Sequence, residues 1–213
     1  MLARRHAVAV RGRLLHAQAH DADVHPRTAR LRVPRVFIAA VGEAMTEKAG
    51  EVADGVLAHA FTTKRYFEEV TIPALERGMA RSGRQRSDFQ VSCPIFVVTG
   101  ADEREVAEAS VATRKQIAFY GSTPAYRKVL ALHGWGDLHD ELHRLSLAGE
   151  WDAMGTLIDD EILEAFAVVA PIDKLATKIR DRCDGVIDRV MVGFPRSVDE
   201  ATVVAVLKEV RGT

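Results

Sequence analysis

The sequence predicts an α/β protein built on parallel strands, and three observations lead there. Val36 to Leu57, VFIAAVGEAMTEKAGEVADGVL, spells a strand, a glycine turn, a helix and a second strand, with a crossover long enough for a parallel pair. Its apolar runs are short and nearly continuous, as expected of strands buried on both faces. Strand and helix patterns then keep alternating toward the carboxyl end. With 213 residues, 47% of them hydrophobic, the chain can bury a sizeable core, either in a single domain or in a small fold of two pieces.

Residues 1–33 are dense in Arg and His, carry few acids and keep no helical or strand period. They read as an irregular basic tail; a basic arm that touches nucleic acid is the other reading, and the neutral remainder of the chain disfavours it. Val36–Ala40 is the first strand and Gly42 the turn after it. A helix follows over Ala44–Ala53 with Met45, Ala49, Val52 and Ala53 on one face, until Asp54-Gly55 stops it. Val56–Ala60 is the second strand. Tyr66–Ala80 is expected to be helical, with Phe67, Val70, Ala74 and Leu75 inward and Pro73 kinking or dividing it. The third strand, Gln90–Val98, is rich in β-branched residues and ends at Thr99-Gly100. Asp102 with Glu105 forms a capping-box pattern that opens a helix to about Tyr120. The alternation breaks between 121 and 170, where several short helical stretches mark an insertion. Asp173–Arg182 resumes as a helix with Leu175 and Ile179 inward, Val186–Phe194 is the fourth strand, and Ser197 is placed to cap a last helix.

Formal net charge is −1, so the whole-chain balance offers neither a nucleic-acid footprint nor a polybasic membrane signal, and a small-molecule or protein partner is expected. Cys93 and Cys183 are far apart and fit no metal or redox spacing; both read as buried small hydrophobes in a reducing compartment. No apolar run nears the roughly 20 residues of a membrane span, and no signal-peptide core opens the sequence. A cytoplasmic protein is expected.

The turn Ala40-Val41-Gly42-Glu43-Ala44 can present backbone N–H groups to an anion such as phosphate, because the first turn of a helix has unpaired donors and a partial positive charge. On pattern alone the commoner reading is an ordinary βα loop, since neither G-x-G-x-x-G nor a Walker lysine motif is present. His139-Asp-Glu-Leu-His143 imitates a zinc-protease helix, but Asp140 stands where the glutamate belongs, and Leu138, Leu142 and Leu145 form the stripe expected to be buried, leaving both histidines on or near a solvated flank. No metal is expected there. His59, at the end of the second strand, faces a ligand cleft in a barrel or open sheet, or else is a satisfied strand-end histidine. Phe61, Thr62, Lys64 and Arg65 follow it as a mixed pocket wall, while Trp135 and Trp151 are core residues or caps over an apolar pocket.

Jointly, these segments resemble the luciferase-like monooxygenases, in particular the branch that uses the deazaflavin coenzyme F420. VFIAAVGEAMTEKAGEVADGV is similar to the family's fifth strand, fifth helix and sixth strand, FQVSCPIFVVTGADE to its seventh strand, and DGVIDRVMVGFP to its eighth. QIAFYGSTPAYRKVLALHGWGDLHDELHRL resembles the substrate-capping helices of that branch. The resemblance covers about residues 34–196 and implies a partial (β/α)8 TIM barrel, the last four βα units, with a helical insertion before the last strand. It implies that Ala40, Val41, Gly42, Ala44 and Met45 line the phosphate-bearing side chain of the cofactor, and that His59 and Thr62 face substrate. It leaves the catalytic residues unassigned, because the half that normally touches the deazaflavin ring is not found in the sequence.

The expectation is therefore the carboxyl-terminal half of an F420-dependent oxidoreductase, with FMN as the variant cofactor, hydride transfer or oxygenation of a small organic substrate as the chemistry, and activity of this chain alone in doubt. Two other readings stand beside it. One is a non-catalytic assembly module in which two half barrels pair edge to edge as a homodimer, since a four-stranded half leaves two parallel edges unpaired. The other is a zinc hydrolase built on His139 and His143.

Overall fold

Five short segments pair side by side, every one of them parallel: β1 (Phe37–Ala40), β2 (Gly55–Ala58), β3 (Gln90–Val98), β4 (Ala167–Val169) and β5 (Arg189–Val192). The computed structural model describes residues 33–213, so the expected tail lies, apart from Val33, outside the described residues. Ser92 is the partner of Leu57 on β2 and of Arg189 on β5, which puts β2 and β5 on opposite edges of β3. β1, β2, β3 and β5 are the four strands expected from the sequence. β4 is a fifth, missed because Ala-Val-Val directly after a helix carries no readable period; it meets β3 farther along, at Phe96–Val98.

Helices cover one face of this sheet. α1 (Glu43–Val52) joins β1 to β2. The helix expected over Tyr66–Ala80 is divided into α2 (Lys64–Tyr66) and α3 (Ile72–Arg81) by a π-helical stretch, Phe67–Thr71, with Pro73 in the first turn of α3 directly after it. α4 (Glu103–Gly121) opens with the Asp102 carboxylate accepting the Glu105 N–H at 2.8 Å, while the Glu105 carboxylate accepts the Ala101 N–H at 2.9 Å. The insertion then supplies α5 (Arg127–Leu132), α6 (Gly136–Ala148), α7 (Trp151–Thr156) and α8 (Asp160–Phe166). α9 (Leu175–Cys183) leads to β5, and α10 (Glu200–Arg211) closes the chain. The cap of α10 is Asp199, which accepts the Thr202 N–H at 3.0 Å; Ser197 instead donates to the Glu105 carboxylate.

Burial follows the strand period. Ala40, Val56, Val91 and Cys93 point into the helices and are nearly inaccessible. Ala39, Leu57, Arg189 and Met191 point the other way and are exposed, so the face that lines a barrel's interior is open along β1, β2 and β5. Phe37 lies across that face over Gly55, where a Cβ would come within 2.3 Å of the ring, and Arg189 spans from β5 to sit 5.9 Å from the ring centre. Met45 and Val52 are exposed, against the expectation of an α1 face running through them; Ala49 and Ala53 alone of that set are buried. The reason is that α1 meets α3 through backbone. A Cβ on Gly50 would lie 2.4 Å from the Leu75 carbonyl oxygen, and one on Gly78 would lie 1.9 Å from that of Glu47.

The same side-chain device sets register at both ends of the sheet. Asp54, just before β2, accepts the N–H of Val36 at 2.7 Å, and Asp188, just before β5, accepts the N–H of Val91 at 2.7 Å. Each carboxylate satisfies a donor at the start of the neighbouring strand, and each is held by an arginine, Arg84 or Arg86.

The glycine contact makes a direct prediction. Gly78→Ala forces α1 and α3 apart and is expected to cost about 3 kcal/mol by urea unfolding, whereas Gly193→Ala, where nothing lies within 4 Å of the added carbon, stays within about 0.5 kcal/mol of the parent.

Candidate functional site

Where β1 and β2 end, their loops form one wall each of a cleft, and the insertion supplies its rim. Ala40, Val41 and Gly42 come from the β1 exit, His59, Phe61 and Thr62 from the β2 exit, Tyr66 from α2, and Ala125, Tyr126 and Val129 from the insertion. The strand-end rule of α/β proteins thus brings together five of the seven expected site residues. Ala44 and Met45 lie around the corner, on an exposed groove they share with Val41, Gly42, Glu47 and Lys128.

Gly42 has φ 80° and ψ 160°, a conformation that glycine alone adopts without strain. Its carbonyl accepts both the N–H (3.1 Å) and the hydroxyl (2.8 Å) of Thr46, which pins the first turn of α1. Among the described residues no side chain caps the amino end of α1, and nothing lies within 4 Å of a Cβ built on Gly42. The first-turn amides therefore border open space. Glu43 and Glu47 sit on the same turns, but Arg77 bonds both (2.6 and 3.1 Å) and Arg81 bonds Glu47 (2.5 Å), offsetting their charge. Lys128, reaching the groove from α5, adds a cation that sequence reasoning missed, because only the packing of the insertion brings residue 128 beside residue 42.

His59 is held by two tyrosines and at one nitrogen. Its ring stacks on Tyr126 at 4.9 Å and meets the edge of Tyr120 at 4.7 Å. Its Nδ1 accepts the Phe61 N–H at 3.1 Å, so the neutral ring carries its proton on Nε2. Burial pushes its pKa below the ordinary histidine value. Burial also raises the pKa of Tyr66 and Tyr126, keeping both phenols protonated. Among the described residues no Asp, Glu, Lys or Arg lines the cleft, so its polar lining is made of neutral groups.

Thr62 is buried, and its carbonyl accepts from Arg182 at 2.7 Å. Thr63 caps α2 by accepting the Tyr66 N–H at 3.0 Å and is bonded to Nε2 of His133 at 2.8 Å, tying the insertion to the β2 exit. Tyr126 and Ala125 rim the cleft where the sequence suggested tryptophans; Trp135 stacks on His133 at 4.5 Å, and Trp151 is half exposed beside Phe119.

His139 is buried, contrary to the solvated flank expected of it. Its Nδ1 pairs with the Gly121 carbonyl at 2.7 Å, and Nδ1 of His143 pairs with the Ser122 carbonyl at 3.0 Å. The two rings stack in parallel across one helical turn and cap the carboxyl end of α4, a structural use of the spacing that imitates a zinc helix. Among the described residues no group of three or more His, Cys, Asp or Glu is arranged to hold a metal ion. Cys93 is buried, its thiol pushed up to about 12, whereas Cys183 is only half-buried.

The profile of the luciferase-like monooxygenases matches residues 1–189. The chain belongs to that family. Uncharacterized proteins of Mycobacterium tuberculosis and Mycobacterium bovis are 68% identical over 168 residues, 79% of this chain and 49% of theirs. A 5,10-methylenetetrahydromethanopterin reductase of Methanopyrus kandleri is 28% identical over 188 residues, 87% of this chain and 52% of that one. The solved coenzyme F420-dependent tetrahydromethanopterin reductase of that organism superposes with a TM-score of 0.65 at 25% identity, covering 84% of this chain and 50% of the other. An F420-dependent secondary alcohol dehydrogenase shares the fold, with a TM-score of 0.57 at 16% identity. The fold of this luciferase-like chain is thus α/β and follows half of its relatives' barrel. The chain spans about half the length of the curated relatives it matches. Among the described residues no helix is long and apolar enough to cross a membrane.

The two depressed histidines fix a pH dependence. Burial lowers the pKa of His59 and of His133 in the folded state. The unfolded chain therefore binds more protons near the ordinary histidine value, and stability present above that value is lost as pH falls toward the folded values. Thermal unfolding followed by circular dichroism is expected to give a melting temperature that drops between about pH 7 and pH 5, with a smaller drop for His59→Gln.

Proposed function

We propose that this chain is the carboxyl-terminal half of an F420-dependent oxidoreductase, holding the phosphate-bearing side chain of the deazaflavin at the Gly42 turn and a small organic substrate toward His59 and Thr62. Catalysis by the chain alone lies outside the proposal. The observation that carries it is the uncapped amino end of α1, where the positive φ of Gly42 opens room in front of unpaired amides. The names of the relatives, F420-dependent or methanopterin reductases, give the anion its chemical class.

The donor set fits such a group. Backbone N–H groups of Glu43, Ala44 and Met45 are in position to bond phosphate oxygens, aided by the partial positive charge of the helix end. Lys128 adds a point charge, and the arginine-neutralised Glu43 and Glu47 remove the repulsion that acids there would exert. Bound F420 supplies a two-electron hydride carrier. The residues of this chain bind and orient: Gly42 admits the backbone approach, Ala40 and Val41 wall the cleft, and Tyr126 shields His59 from water. FMN, which also carries a phosphate, is the variant.

Adding the purified protein to F420 is expected to change the cofactor's fluorescence saturably. Gly42→Val fills the space and strains the turn, by about 1–3 kcal/mol, and should abolish the change while the circular dichroism spectrum is retained. Lys128→Ala should weaken binding about fivefold, with a reduced salt dependence. Absence of any saturable change with folded parent protein refutes the cofactor assignment.

A second reading rests on a different observation, the open sheet face with Leu57 and Met191 exposed. A second copy could pair β5 of one half with β1 of the other, closing a ring of eight strands, β1, β2, β3 and β5 from each copy, the number at which a barrel interior is filled by side chains. Sedimentation velocity is then expected to give a compact dimer, and Met191→Glu a monomer.

A further inference from the structure

We propose that His59 is a fixed hydrogen-bond donor that selects a carbonyl-bearing substrate, its Nε2–H bonding the carbonyl oxygen. This rests on reading the cleft as the substrate side of the F420 site and adds the substrate class.

The geometry leaves the imidazole a single role. Nδ1 is occupied by the Phe61 N–H, and the ring cannot swing, being stacked on Tyr126 and abutted by Tyr120. Protonation would put a second N–H against that of Phe61, so the neutral form persists and Nε2 is the remaining polar atom of a side chain that lines the cleft. An anionic substrate would call for a cation in the lining, and an ammonium for a carboxylate, yet among the described residues the lining carries neither. What it offers is neutral hydrogen-bonding side chains: His59 with its Nε2–H, Tyr66, Tyr126, and Thr46, Thr62 and Thr71, of which Thr46 already donates to the Gly42 carbonyl. Those suit an uncharged acceptor, and a carbonyl oxygen is the compact group that accepts without also needing to donate. A substrate lacking the acceptor leaves a shielded donor unpaired, which is how such a site discriminates between molecules of the same shape.

The test needs no turnover. In protein labelled with 15N at histidine, at pH 7.5, His59 is expected to show a pyrrole-type Nε2 and a pyridine-type Nδ1. 2-Butanone should move the Nε2–H resonance saturably, while the isosteric hydrocarbon 2-methyl-1-butene should not. His59→Gln, whose amide nitrogen reaches the place of Nε2, should keep ketone affinity within about threefold, whereas His59→Asn, which reaches only the place of Nδ1, should lose more than about tenfold, equivalent to roughly 1.4 kcal/mol. A proton on Nδ1, an Nε2–H resonance that ignores the ketone, or equal affinities for ketone and hydrocarbon would each overturn the proposal. F420 titration of the same samples separates the two readings: ketone selectivity without F420 binding sinks the cofactor assignment alone, and F420 binding with no ketone selectivity sinks the role of His59 alone.

Discussion

The cleft depends on one guanidinium. Arg182, in the last turn of α9, donates to the Ala165 carbonyl at 2.6 Å, the Phe166 carbonyl at 3.3 Å and the Thr62 carbonyl at 2.7 Å. Two of those oxygens end α8, where carbonyls have no intrahelical donor and the helix dipole favours a cation. The third belongs to the turn that carries His59 and Thr62. One side chain thus joins the crossover helix, the end of the insertion and the β2 exit, and it does so through carbonyl dipoles. Burial lowers the pKa of Arg182 from its ordinary value, but an arginine starts so high that it stays charged.

Around that anchor the polar groups are arranged so that the cleft itself stays uncharged. Acids near the Gly42 turn are drawn off by Arg77 and Arg81, Asp140 by Arg127, and the histidines of the insertion by the carbonyl end of α4. What remains facing the cavity is backbone amide, hydroxyl and a neutral imidazole. Such a lining orients a ligand by hydrogen bonds and carries no charged acid or base of its own, in keeping with the binding role proposed for it.

The order of strands and crossover helices was legible because each rests on a local signal. Buried strands read as apolar runs, Asp102 and Glu105 announce α4, and Leu175 and Ile179 mark the inner face of α9, fully buried as expected. Signals failed where backbone or tertiary packing replaced side-chain pattern. Met45 and Val52 have the helical spacing of a buried face, yet Gly50 and Gly78 set the α1–α3 contact and turn those two outward. β4 is too short to show a period. Ser197 looks like a cap, but Asp199 takes the first-turn amide and Ser197 goes to Glu105.

By itself the sequence determined the parallel α/β alternation, the glycine turn at the end of the first strand, and the family to which the segments belong, since periodicity, turn chemistry and motif order are all written within a few dozen consecutive residues. Tertiary structure alone decided what surrounds that turn. Residues 42, 59 and 126 meet because strand exits converge at one edge of a parallel sheet and the insertion folds back over it. The tautomer of His59, the cation of Lys128 and the capping task of His139 and His143 follow from packed contacts, several of them between residues far apart in the chain, a range over which no local pattern speaks.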